Sequence, residues 1–127
     1  MTNIGMEAQV ARAGQPHDLF WIVAVRANGK CEYCGLDGKE NLHILAGFCL
    51  DHIIPRSANG GDDLDNRTLC CAPCNLSKLS WNPADGTDGT LTRDALIERV
   101  RSYLGPNPPE WPYYVALQKE LREGTRS

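Results

Sequence analysis

Apolar residues in this chain fall into short blocks separated by turn-forming residues. The first block, DLFWIVAVRA from Asp18 to Ala27, is apolar almost throughout, so its period alone does not separate helix from strand. Asp18 as a cap, Pro16 just outside and Asn28-Gly29 as a stop favour a helix. Residues 1–16 lack a clear period and read as a loose N-terminal arm. After the tight turn KCEYCG, the run LHILAGFCLDHIIP is rich in β-branched and aromatic residues and ends in Pro55. That composition predicts a strand, in one piece or in two broken at Gly47.

RSANGGDDLDN is turn chemistry from end to end. RTLCC predicts a second short strand, and APCNLSKLSW, with a proline suited to a first turn, predicts a short helix. Beyond the spacer NPADGTDGT, Thr92 can cap a helix to Leu104 that places Leu96, Val100, Tyr103 and Leu104 on one stripe, with Gly105 as stop. PNPPEWP reads as an extended connector. A last helix, from about Tyr113 to Glu123, is expected to bury Tyr114, Leu117 and Leu121. No internal repeat is visible. The expected organisation is a single domain over 1–127: the arm, a core over 17–80 and a helical extension over 81–127.

Composition changes this picture mainly through cysteine. The beginning of the chain lacks a basic segment followed by an apolar core, and no apolar run reaches membrane-spanning length, so the expectation is an intracellular, cytoplasmic protein with no membrane partner. Six cysteines in a reducing compartment are poor disulfide candidates. Cys31-x-x-Cys34 and Cys71-x-x-Cys74 form two matching knuckles, and the two-residue gap lets neighbouring thiolates reach one tetrahedral ion, for which zinc is the natural choice. Cys49 and Cys70 lie outside that spacing. Cys70 adjoins Cys71, but strand neighbours point to opposite faces, and Cys71 is the preferred ligand. The 36 residues between the knuckles exceed the gap of a simple zinc ribbon, about 15 to 20 residues, so the closed loop must hold something more.

That loop contains LDHIIPRSANGGDD and DNRTLCCAPCNLSK. Together with CEYCG, and in this order, these stretches resemble the zinc-stapled branch of the HNH endonucleases over roughly residues 31 to 78. The resemblance implies an α+β fold, with a ββα-metal core (a β-hairpin plus a helix) stapled by the four-cysteine zinc site and flanked by N- and C-terminal helices. It also implies cleavage of DNA phosphodiester bonds with one divalent cation, leaving 5′-phosphate and 3′-hydroxyl ends. The first motif letter falls on His52 and the second on Asn66. At the third, Asn75 stands in place of histidine, a His-Asn-Asn variant.

Each residue type suits its implied task. Phosphodiester hydrolysis needs a deprotonated water and neutralised phosphate charge. A neutral imidazole can take the proton, which makes His52 the candidate general base. Asp51 and Asn75 offer hard oxygen ligands suited to Mg²⁺ or Mn²⁺. By resemblance, Asn66 braces the long loop and helps to orient His52. A regular pleat sends Asp51 and His52 to opposite faces, so a shared site must lie across the strand's edge or its twisted end.

By resemblance, since the family often has a lysine three residues after this asparagine, Lys78 is the leading candidate for phosphate contact, with Arg56 and Arg67 beside it. His43 and His17 are expected to be structural or exposed, and Trp21, Trp81 and Trp111 to pack the core or anchor the tail. Charge runs against a strong nucleic-acid surface. The net charge is −3, and acids outnumber bases in each third of the chain. A non-catalytic zinc-stabilised nucleic-acid-binding or protein-interaction module is therefore the alternative reading. A homodimer, or a phage-packaging or restriction-type partner that supplies DNA affinity, is also compatible with the chain.

Overall fold

The first apolar block forms α1, Gln15–Arg26, in the computed structural model, which describes residues 15–106 and 110–124. The helix starts three residues ahead of Asp18, so Asp18 is not its cap. Pro16 lies inside the first turn, where a missing backbone donor costs nothing. Of the expected arm, residues 1–14 lie outside the described residues, and Gln15 and Pro16 are helical. Asn28 and Gly29 both take positive φ, 56° and 70°, and the Gly29 amide donates to Ala24 O, closing the helix as the Asn-Gly pair predicted.

The run expected as strand divides. Leu42–Ala46 is a short helix, α2, because the Asn41 side chain accepts from His43 N at 2.7 Å and satisfies its first turn. Only after Gly47 does the chain extend into β1, Cys49–His52. β1 pairs antiparallel with β2, Arg67–Cys70, in the register Cys49↔Cys70, Leu50↔Leu69, Asp51↔Thr68 and His52↔Arg67. Between the strands the chain makes two 3-10 turns, Arg56–Ala58 and Leu64–Asn66.

The first knuckle docks on the other edge of β2. Glu32 N donates to Leu69 O at 2.9 Å, and Leu69 N donates to the Glu32 carboxylate at 3.1 Å, so edge groups of the sheet are satisfied by the knuckle itself. Arg93 completes the junction by donating to both Glu32 oxygens and to Arg67 O.

α3, Ala72–Lys78, follows β2 directly, with Pro73 in its first turn. α4, Arg93–Leu104, is capped by Thr92, whose hydroxyl accepts from Ala95 N at 3.2 Å, and stops at Gly105 with φ 73°. It buries Leu96, Ile97, Val100 and Leu104. Tyr103 departs from the expected stripe: it is half exposed and stacks on Trp81 with ring centroids 4.1 Å apart.

α5, Glu110–Glu123, begins earlier than expected, so EWP belongs to its first turn and not to an extended connector. Its Tyr114, Leu117 and Leu121 are exposed, contrary to expectation. The helix packs on α3, a seven-residue helix too short to cover that apolar face. Val23, Phe48, Ile53, Leu69 and the α4 stripe form the core, with Tyr33 and the cysteines Cys31, Cys70, Cys71 and Cys74 continuous with it. This is a mixed α+β arrangement consistent with a ββα-metal core. No helix among the described residues is long and apolar enough to cross a membrane.

Candidate active site and metal centre

The thiols of Cys31, Cys34, Cys71 and Cys74 all lie within 4.8 Å of one another, three of them buried and Cys34 exposed. A tetrahedral zinc with Zn–S bonds of about 2.3 Å sets sulfur atoms about 3.8 Å apart, and the Cys34–Cys71 separation of 3.5 Å is close to that. The donor set therefore fits a structural zinc ion. The Cys31 thiol is held far below the usual thiol range by the hydrogen bond of Cys34 first, then those of Cys70, Cys71 and Cys74. Cys70 stays outside the quartet, and its thiol turns to Cys71 O at 3.3 Å. Cys49 likewise points to Cys70 O.

Asp51 and His52 leave β1 in opposite directions, as a pleat requires. Asp51 is buried against Tyr33 of the first knuckle and Lys78 of α3. Its Oδ2 accepts from Tyr33 Oη at 2.7 Å and lies 3.1 Å from Lys78 Nζ, while Oδ1 has no hydrogen bond among the described residues. Burial, and then the Asp51 charge, push the Tyr33 hydroxyl far above the ordinary tyrosine range, so it stays a donor.

Lys78 corrects an expectation. It is 1% exposed, and its ammonium donates to His52 O at 2.9 Å besides pairing with Asp51. A buried ammonium held by two acceptors cannot reach phosphate on the surface. Its work is to latch α3, which also carries Asn75, to the Asp51-His52 step. Asn75 is half buried, and its carboxamide makes no hydrogen bond among the described residues.

His52 faces the long loop. Its Nε2 lies 2.7 Å from Asp62 Oδ1, and the same oxygen receives Arg56 at 2.9 Å and lies 3.7 Å from Arg67. Both arginines considered for phosphate thus surround one carboxylate at the end of the β1–β2 pair. Hydrogen bonding by His52, and then by Arg56, holds the Asp62 carboxyl below its usual range.

The loop that carries Asp62 is braced by Asn66. The Asn66 Oδ1 accepts from Ile54 N at 2.8 Å, and its Nδ2 donates to Ile54 O at 2.9 Å and Gly61 O at 2.8 Å. Gly60 passes so close beneath that a Cβ would lie 1.7 Å from Ile54 O.

Two residues of this site escaped sequence reasoning. Tyr33 sits inside the first knuckle, and its place between two ligands was the available signal. Asp62 is one acid among several in a turn, and only the fold distinguishes it from Asp63 and Asp65. His43 lies on α2 and takes no part in this constellation. The His17 side chain lies outside the described residues.

No curated protein and no solved structure matches the chain. Residues 31–80 match the family model described as HNH endonuclease. The matched segment spans both cysteine knuckles, the β1–β2 pair, the braced loop and α3. Over residues 31–80 this chain is therefore similar to the HNH endonuclease domain.

Proposed function

We propose that the chain is a metal-dependent endonuclease that hydrolyses phosphodiester bonds of DNA, leaving 5′-phosphate and 3′-hydroxyl ends. His52 acts as general base on the attacking water. Asp51, through the oxygen left free by Tyr33 and Lys78, and Asn75 would hold a Mg²⁺ or Mn²⁺ ion. When bound, that ion neutralises charge on the phosphate and the departing oxygen. Asn66 keeps the loop in place beside His52. Arg56 and Arg67, at the outer end of the β1–β2 pair, meet the phosphate backbone. The four-cysteine zinc is structural. The single observation that carries this reading is the Lys78 latch, which ties the helix bearing Asn75 to the backbone of His52 and the carboxylate of Asp51 inside the family-matched segment.

The test is nicking of supercoiled plasmid with Mg²⁺, with Mn²⁺ and with chelator. The wild-type chain nicks with metal alone, and His52→Ala loses about 10²-fold or more in rate with zinc content and folding unchanged. Cleavage surviving in that variant removes His52 from its role. The net charge of −3 favours the alternative, a zinc-stabilised binding module without catalysis. DNA binding with no nicking under any metal would select it.

A further inference from the structure

We propose that Asp62 is a positioning residue that holds the His52 ring in one orientation as the Nε2–H tautomer and leaves Nδ1 as the atom that receives a proton. The inference rests on His52 being the base. It adds a residue from a turn whose acids the sequence did not distinguish, and it assigns each ring nitrogen a task.

An ionised carboxylate can only accept hydrogen bonds. The 2.7 Å contact between Asp62 Oδ1 and Nε2 therefore places the imidazole proton on Nε2. Arg56 Nε also lies 3.3 Å from Nε2. It cannot donate to a nitrogen that already carries a proton, and it has Asp62 Oδ1 at 3.2 Å, with the second Arg56 donor at 2.9 Å. Arg56 therefore grips the carboxylate and not the ring. Arg67 adds a second cation near the same oxygen. Two side chains hydrogen-bond to Oδ1, from the end of β1 and from the first 3-10 turn, and a third, from the start of β2, pairs with it by charge.

The backbone around Asp62 is held on both sides. Gly61 O accepts from Asn66 Nδ2, and Asp63 O accepts from Asn66 N at 3.0 Å as the second 3-10 turn begins. Asn66 thus acts on His52 through Asp62, by fixing the stretch from which the carboxylate reaches the ring. Nδ1 makes no hydrogen bond among the described residues, which leaves its lone pair open to a water molecule. Asp62 is itself 65% exposed. Its contacts add little to stability, and its removal should leave the fold standing.

The experiment uses the full chain loaded with zinc and labelled with nitrogen-15 in histidine. Long-range proton–nitrogen spectra near pH 8, where a free imidazole is neutral, report which ring nitrogen carries hydrogen, and His52→Ala identifies the His52 signals. Wild type shows Nε2 protonated and Nδ1 bare. Asp62→Ala shows averaged tautomers and about a tenfold lower kcat, with KM unchanged or lower, and Asp62→Glu recovers part of both. A His52 tautomer unchanged in Asp62→Ala overturns the proposal. So does faster cleavage by that variant, which would make Asp62 a competitor of phosphate for the arginines. Should wild type cut no DNA under any metal, the endonuclease reading fails, while the spectra still decide whether Asp62 sets the ring.

Discussion

Asn66 gathers three hydrogen bonds onto one carboxamide and closes the turn from Ile54 to Gly61. Truncation to alanine removes all three and strands backbone groups of a tight loop. At about 1 kcal/mol per bond, Asn66→Ala should lose about 3 kcal/mol, read as a lower urea midpoint at unchanged slope. Lys78 makes a second strong prediction. Lys78→Met keeps the stem but leaves Asp51 buried without its cation, and breaking such a pair costs about 3 to 5 kcal/mol; urea titration of the zinc-loaded variant measures it. At this scale the resemblance singles out His52, Asn66 and Asn75 because the order and spacing of the stretches around them are unusual. The resemblance points Lys78 to phosphate, and a lysine's identity carries no mark of burial, a buried lysine being rare unless paired.

Helix ends followed their local chemistry closely. Thr92 and Gly105 bound α4 as expected, since a hydroxyl cap and a positive-φ glycine act within four residues of themselves. Thr92→Ala should destabilise the chain by about 1 kcal/mol, seen as a small drop in the thermal midpoint with the same far-ultraviolet spectrum. Leu42–Ala46 was misread for the opposite reason. Its apolar residues suit a strand, and the deciding group, the Asn41 cap, lies one residue before them. α5 shows the limit of periodicity: a stripe of Tyr114, Leu117 and Leu121 marks an apolar face, but whether a partner covers it depends on neighbours distant in sequence.

For the molecule as a whole, the four-thiol site joins two segments far apart in sequence and holds the first knuckle against β2. Because an unfolded chain has no formed site, metal binding free energy becomes folding free energy. Stripping the ion with a strong chelator should therefore abolish the cooperative thermal transition or lower it by roughly 10 °C or more, and zinc should restore it where Mg²⁺ does not. Calorimetry with and without chelator checks this.

The order of residues alone determined the cysteine quartet, the hairpin-and-helix core around it and the Asp51-His52 step, because ligand spacing, strand alternation and turn chemistry are local. Tertiary structure decided which groups meet around that step. Lys78 and Tyr33 converge on Asp51, while Asp62, Arg56 and Arg67 gather at His52. Those meetings depend on the path of a long loop and on how α3 lies against β1, and both are set by burial and by contacts between residues far apart in the chain.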